Sequence, residues 1–595
     1  NEKAHSNNNF HITGEIQAAI NGTAVLPGPL KISIPRFDAY PSNIVVAQSR
    51  ARLLDMDIKL SGSVKDYISA IPKLDIVFSG SIGHDAAAWI SALAHLPDDL
   101  MIRSPLKFTD VRLRSTGASA SSSESLTGTV MAQDNASISF SLLSRPENLT
   151  IEKLNVKDSE SDALLRLTIN KEELYLAFSG NVTGATLSRF IGRDRIPFKR
   201  ISGDISAHIP RNRWYEIAAE GTLEGEGLVI PFPSGETLGI DRFFAQSSGR
   251  SVDLRPVVLS MGKDVLTVEG TAAMSPTGVD LDLDVSANRI DIASFQQLVK
   301  SKKKDSGRLT TPSSSAKRNL NVDGDLRLRA DVVTLQSYTA KAVAMTISKE
   351  KDQIAARLEH ASICGIELGG TLKTRNDEME ISLEPHAHGE KLADSIPCIF
   401  HEDLGITGDY DLEGRLTGHG PSAKLLQWLQ GNVDFTARQG RFHNDKIVRS
   451  VIAYLNSTSI LKGSHSSLLK EGVPYETVVL RGSFREGVVS LKEGTVNSKE
   501  LYITSEGHIN LDNESLALNV LVAPFTNLDR ILGKIPVLKD IAGNSLVVVP
   551  VRVEGTYHKP EVKPLPASAV STNVTKLMLN IVKAPVKIIE PVIPK

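Results

Sequence analysis

Three histidines and a cysteine fall close together in this chain, at His386, His388, Cys398 and His401. Imidazole and thiolate are zinc ligands, but this spacing fits no zinc-binding pattern. Loop histidines beside a structural cysteine are the plainer reading, and no metal is expected. A second stretch, GHGPSA at 418–423, matches the GxGxxA phosphate loop of dinucleotide-binding domains. No βαβ unit surrounds it, however, and Pro421 occupies the phosphate turn. The sequence holds no GxSxG nucleophile elbow, HExxH zinc motif or Walker A loop. Neither a cofactor nor an enzymatic reaction is expected.

The only two cysteines are Cys364 and Cys398, with no CxxC between them. They suit one disulfide, worth roughly 4 kcal/mol in the chain-entropy model, or two unrelated buried thiols. Composition narrows the partners. The 67 basic residues nearly balance the 69 acidic ones, and no basic stripe is interleaved with aromatics, so nucleic acid is not an expected partner. No apolar run reaches the length of about 18 residues that a membrane-spanning helix requires, and the most apolar stretch, LVVVPV at 546–551, is strand-sized. The chain begins at Asn1, so an N-terminal signal or anchor could precede it in the gene product.

The elements that must carry any site are strands. A chain of 595 residues is too long for one compact core, and its dominant signal is period-two alternation. In GVDLDLDV, Val279, Leu281, Leu283 and Val285 share one face and Asp280, Asp282 and Asp284 the other. In NLNVDGDLRLRADV, Leu326 and Leu328 oppose Asp325, Arg327 and Arg329. One dry face and one wet face identify antiparallel sheet solvated on one side. A phrase of the form apolar-x-apolar-x-Gly recurs at irregular spacing, in LAFSGNV, LTVEGTA, YDLEGRL, VVLRGSF, YITSEGHI and VRVEGTY. A glycine inside or just past a strand permits a bulge or bend, so this phrase marks hairpins that curl a sheet.

Short helices are expected from Asp85, Asp291, Ser422, Asn444 and Asn527, each beside a residue suited to N-capping. Residues 301–318 are polar, basic and aperiodic, which predicts a linker or loop between a region 1–300 and a region 319–570. A last helix from Ser571, with Val574, Leu577, Met578 and Ile581 apolar and lysines interspersed, leads into a Pro-interrupted tail within 571–595. It would either cap the open end of a sheet or, as a basic amphipathic helix, lie on an anionic membrane.

The order of phrases in the C-terminal part, ITGDYDLEGRLTGHG, LLQWLQGNVDFTARQGRF, APFTNLDRILGKIPVLKDI and VVVPVRVEGTYHKPEVKPLP, resembles the AsmA-like family of Gram-negative envelope proteins, which takes in AsmA, TamB and YhdP. The likeness covers residues 319–595, while 1–300 share only the amphipathic strand-Gly texture. It implies a mainly β fold: an elongated, curled antiparallel sheet forming an apolar groove of the bridge-type lipid-transfer kind, with a few short capping helices. It also implies that 550–566 form the last strand pair. The implied function is periplasmic transfer of phospholipid or another acyl lipid between inner and outer membranes, in support of outer-membrane biogenesis. The alternative is a non-enzymatic assembly factor or scaffold for outer-membrane or other envelope proteins. The family's inner-membrane anchor is absent from this chain, so periplasmic anchorage would belong to a longer gene product. An oxidising periplasm favours the Cys364–Cys398 disulfide.

A two-chain phospholipid carries on the order of 30 methylenes at about 0.8 kcal/mol each, so its passage through water would cost more than about 20 kcal/mol and calls for a dry track. The expected groove residues are Val279, Leu281, Leu283, Val285, Leu326, Leu328, Val433, Phe435, Leu516, Leu518, Val520 and Val522. In an open groove an Asp at position 518 would reach water, and the fold should survive.

Overall fold

The computed structural model describes residues 11–20, 28–69, 72–93, 101–116, 123–192, 196–231, 237–293, 321–376, 378–421, 425–443, 445–457, 471–524 and 548–583. Among them thirty strands, numbered β1–β30 in chain order, alternate with a few short helices. The chain is mainly β, as the alternation requires. It divides into two units, Asn1–Val285 with Gln297–Asp323, and Ser286–Gln296 with Gly324–Lys595. The linker read at 301–318, the helix read from Asn527, the end of the one from Asp291 and the tail beyond 583 lie outside the described residues.

In the first unit each strand pairs antiparallel with its sequence neighbour, beginning with β1 (Ile12–Ile20), β2 (Leu30–Tyr40), β3 (Asn43–Leu53), β4 (Met56–Lys65) and β5 (Lys73–Ile82). The meander runs on in the same way to Asp264–Met274. Helix α1 (His84–Leu93) forms where expected, and Asp55 from the β3–β4 turn caps it by accepting from the backbone N–H groups of Asp85 and Ala86, both at 2.9 Å. The one-turn α2 (Gly184–Leu187) is capped by Thr183, whose hydroxyl accepts from Thr186 N at 3.1 Å.

The recurrent glycines bend strands. Gly180 and Gly507 hold φ of 102° and 146°, and at each a Cβ would overlap the carbonyl of the neighbouring strand, Asp162 O and Ala517 O. Gly414 and Gly482, in the same sequence phrase, keep ordinary φ. Gly414 makes room for the Pro385 ring, and Gly482 marks a register shift against the next strand.

The second unit is a meander of the same kind up to the hairpin Val549–Thr556/Lys559–Pro564. That hairpin is the strand pair expected at 550–566. Pro560, Pro564, Lys559 and Lys563 on its outer strand are residue types that discourage further pairing. Helix α3 (Leu392–Phe400) buries Leu392 and Ile396, and a disulfide ties Cys398 in it to Cys364 in the hairpin turn after Gln353–Ile363, with Cα atoms 5.5 Å apart. The bond fits an oxidising compartment, extracellular or periplasmic. The four-residue α4 (Leu425–Trp428) is what the structure describes of the helix expected from Ser422.

Helix α5 (Lys446–Ser457) packs on the final hairpin and sinks Val451, Ile452 and Leu455 into the unit's main core. Its N-cap is Asp445, whose buried carboxylate accepts from Val448 N at 2.7 Å and from the Tyr557 hydroxyl at 3.1 Å. Burial pushes the Asp445 pKa up, against the opposing pull of those hydrogen bonds. A folded pKa above the unfolded one means that stability is fully present at acid pH and falls as pH rises through the folded value. Asp445→Asn keeps the cap without the charge. We therefore expect urea titrations between about pH 4 and pH 7 to show wild type losing stability relative to Asp445→Asn as pH rises. A constant difference would mean the carboxyl does not titrate in that range.

Helix α6 (Thr572–Lys583) packs on the sheet, on the strands Val488–Asn497, Leu501–Asn510 and Ser515–Pro524 and not on the last edge that the sequence reading gave it to cap. Val574 and Met578 are fully buried against Leu521, Ala523 and Val548, and the Asn573 amide donates to Lys492 O at 3.0 Å and to the Glu506 carboxylate at 3.1 Å. The side chain of Ile581 lies outside the described residues.

Candidate functional site

Antiparallel partners point to the same face, so strand register traces how apolar side chains line up across the sheet. In the first unit Ile76, Leu113, Leu126, Leu142, Ile151, Leu167, Leu176, Ala207 and Ala219 are successive direct partners, one from each strand between Lys73–Ile82 and Ala218–Pro231. All are half-buried. Phe140, Leu154, Leu165, Phe178 and Ile205 form a second such row beside it, also half-buried. With about 4.8 Å between strands, the first row runs for about 38 Å at right angles to the strands.

Burial changes along each strand. In Asn148–Lys157, Val156 is 8 % exposed, Leu154 and Ile151 are half-buried, and Leu149 is 43 % exposed. One side of the rows is therefore closed and the other open. On the closed side Val156, Ala163 and Val182 pack with Leu187 and Phe198 from the α2 segment. That segment is held by Asp158, which has no exposed side-chain surface and accepts from Glu160 N (2.8 Å), Ser161 N (2.7 Å), Thr186 Oγ1 (2.7 Å) and Arg189 Nη1 (2.6 Å). Burial alone would raise the Asp158 pKa, but these donors overcome it and hold the carboxyl below its usual range. The opposite face of the sheet carries ion pairs such as Arg112–Asp75, joined by two hydrogen bonds of 2.7 Å that keep Asp75 ionised well into acid.

The twelve residues expected to line a groove fall into two groups. Val279, Leu281, Leu283, Leu326, Leu328, Val433 and Phe435 are half-buried on strand faces, and Val285 is 9 % exposed. Phe435 pairs with Leu412 and stacks on Tyr410 with ring centroids 5.6 Å apart. Leu516, Leu518, Val520 and Val522 are instead 4 %, 6 %, 3 % and 0 % exposed and belong to the core that α5 closes. Protein already covers them, so the expectation that an Asp at 518 reaches water is reversed. The rows from Ile76 to Ala219 were not singled out from the sequence. Their signal is the same alternation, but their alignment exists only through register.

The candidate chemical residues are occupied otherwise. His386 pairs with Glu367 at 2.7 Å, His388 with Asp411 at 3.1 Å, and His401 Nε2 lies 2.9 Å from Ser337 Oγ, while Cys398 is in the disulfide. Among the described residues no group of three His, Cys, Asp or Glu side chains is placed to hold a metal. The glycines of GHGPSA serve an indole: a Cβ at Gly418 or Gly420 would overlap the ring of Trp428, whose Nε1 donates to Pro421 O at 3.0 Å. Gly418→Ala should displace that ring at a cost of about 1–3 kcal/mol, read as a lower thermal midpoint and a shifted tryptophan emission. Unchanged emission would show that the ring has room to spare.

Among the described residues no helix is long and apolar enough to cross a membrane. No protein-family model and no curated protein matches the chain.

Proposed function

We propose that this protein binds acyl lipid on the half-buried apolar face of its sheet and conveys it through the periplasm between inner and outer membranes. The observation that carries the reading is the unbroken row from Ile76 to Ala219, apolar at every strand and only partly covered. A soluble monomer rarely leaves so long an apolar surface to water, and contiguous exposed patches of this kind mark binding sites. Acyl chains suit it because the surface is continuous, featureless in hydrogen bonding, and open along one side where a headgroup can stay in water. The Cys364–Cys398 disulfide fits an oxidising compartment, and the likeness of residues 319–595 to AsmA-like proteins points the same way.

The direct test is organic extraction of protein purified without detergent, followed by mass spectrometry. Stoichiometric phospholipid or another two-chain lipid is expected. Protein that is lipid-free, and that takes up no fluorescent phospholipid from vesicles, would rule the reading out.

A further inference from the structure

On the polar face of β1–β5, away from the apolar rows, two depressions of about 530 and 710 Å³ adjoin and share Ser33 and Arg50. Their walls bring like charges together. Lys31 stands directly opposite Arg52 across β2 and β3, and Arg50 directly opposite Lys59 across β3 and β4. Like charges in directly opposed positions of an antiparallel pair repel and destabilise it. Here two such pairs sit side by side on a chain whose net charge is only −2.

The protein does little to neutralise them. A single carboxylate, Asp57, is shared by the Arg50 and Arg52 Nε atoms at 3.4 and 3.3 Å. Arg112, one sheet segment away, instead takes both oxygens of its own Asp75 at 2.7 Å. Among the described residues Lys31 and Lys59 have no ion-pair partner. Two other carboxylates are near: Asp110 on the far wall of the larger depression, and Glu15, which accepts from Gln17 at 3.1 Å. The smaller depression is lined by Lys31, Arg50 and Arg52 with Gln17, Ala19 and Ser33, and among the described residues no carboxylate is part of its lining.

We propose that this face binds a phosphate-bearing ligand, whose oxygens are received by Lys31, Arg50, Arg52 and Lys59. Phosphate fits better than a carboxylate because it brings close to two negative charges and several acceptor oxygens to a site with two guanidiniums and two ammoniums. The small side chains between the cations leave the room. This site is independent of the acyl-lipid proposal, since it lies on the other face of the sheet.

Titration calorimetry of the whole chain with sodium pyrophosphate, and thermal unfolding in about 10 mM pyrophosphate against sodium chloride of equal ionic strength, test it. Saturable binding and a raised midpoint are expected for wild type. The Arg50→Gln/Lys59→Gln variant should melt no lower than wild type in chloride, because repulsion is relieved, and should bind pyrophosphate at least about tenfold more weakly. Vesicles of phosphatidylcholine with and without phosphatidylglycerol identify the source. Recruitment of wild type but not of the variant by the anionic vesicles assigns the phosphate to a lipid headgroup, whereas pyrophosphate binding without recruitment assigns it to a soluble ligand. Wild type that binds no pyrophosphate, a variant that binds it equally, or a variant that melts well below wild type in chloride overturns the proposal.

Discussion

Replacing Leu518 with Asp should unfold the C-terminal core. Leu518 is 6 % exposed, stands opposite Gly507 and Val553, and shares a core with Leu455 of α5, which is fully buried. Truncating a buried leucine alone costs about 2–5 kcal/mol. The variant must in addition bury a carboxylate with no donor, or protonate it at neutral pH. The sum approaches the whole stability of a typical domain, about 5–15 kcal/mol. We expect poor soluble yield, or a urea midpoint lowered by most of its wild-type value, while Leu518→Met, which keeps volume and polarity, should cost less than about 1.5 kcal/mol. An Asp variant that melts like wild type would mean that α5 leaves this face open to water.

The sequence shows why some of this was legible and some not. Strand faces, the curl marked by Gly180 and Gly507, the last hairpin, the start of α1, the cap of α5 and the pairing of the two cysteines all rest on neighbours in sequence or on a two-membered choice, whereas the cap of α1, Asp55, comes from some 30 residues earlier and only the fold brings it there. Whether a dry face is open or closed does not. Leu281 and Leu283 alternate with aspartates as Leu516 and Leu518 alternate with Ala517 and Asn519, yet the first pair is half-buried and the second is sealed. What seals it is the core that gathers Ile396 of α3, Tyr410, Tyr475 and Leu455 of α5, all far back in the chain, and no neighbour in sequence announces those contacts. One signal was available. Strand Ser515–Pro524 ends in VLVA, apolar on both faces, and both are buried: Val520 and Val522 under the core shared with α5, Leu521 and Ala523 under α6. A continuous apolar run marks a strand covered on two sides, whereas strict alternation with charge marks one wet side. The opposed cations at Lys31–Arg52 and Arg50–Lys59 were invisible for a related reason, since only register makes them neighbours.

The same logic sets the second large effect, at Leu176. Its side chain is half-buried, with Leu167 and Ala207 as its direct partners, and the strand side toward Leu149 and Ile169 is open. A carboxylate placed there can turn toward water along that open side, so it forfeits some apolar contact without being trapped. The stability change for Leu176→Asp should stay within about 0.5–3 kcal/mol, the range of most substitutions, with an unchanged circular dichroism spectrum. Binding should suffer far more. An acyl chain lying along the row would have to desolvate that charge or stop short of it, and the strands on either side would be separated as carriers of one continuous surface. We expect Leu176→Asp to lose most of its extractable lipid and its uptake of fluorescent phospholipid, whereas Leu176→Met keeps both. Folded Leu176→Asp protein that retains its lipid would place the lipid elsewhere, and a variant that unfolds as Leu518→Asp is expected to would show that the row from Ile76 to Ala219 is core and no trough at all.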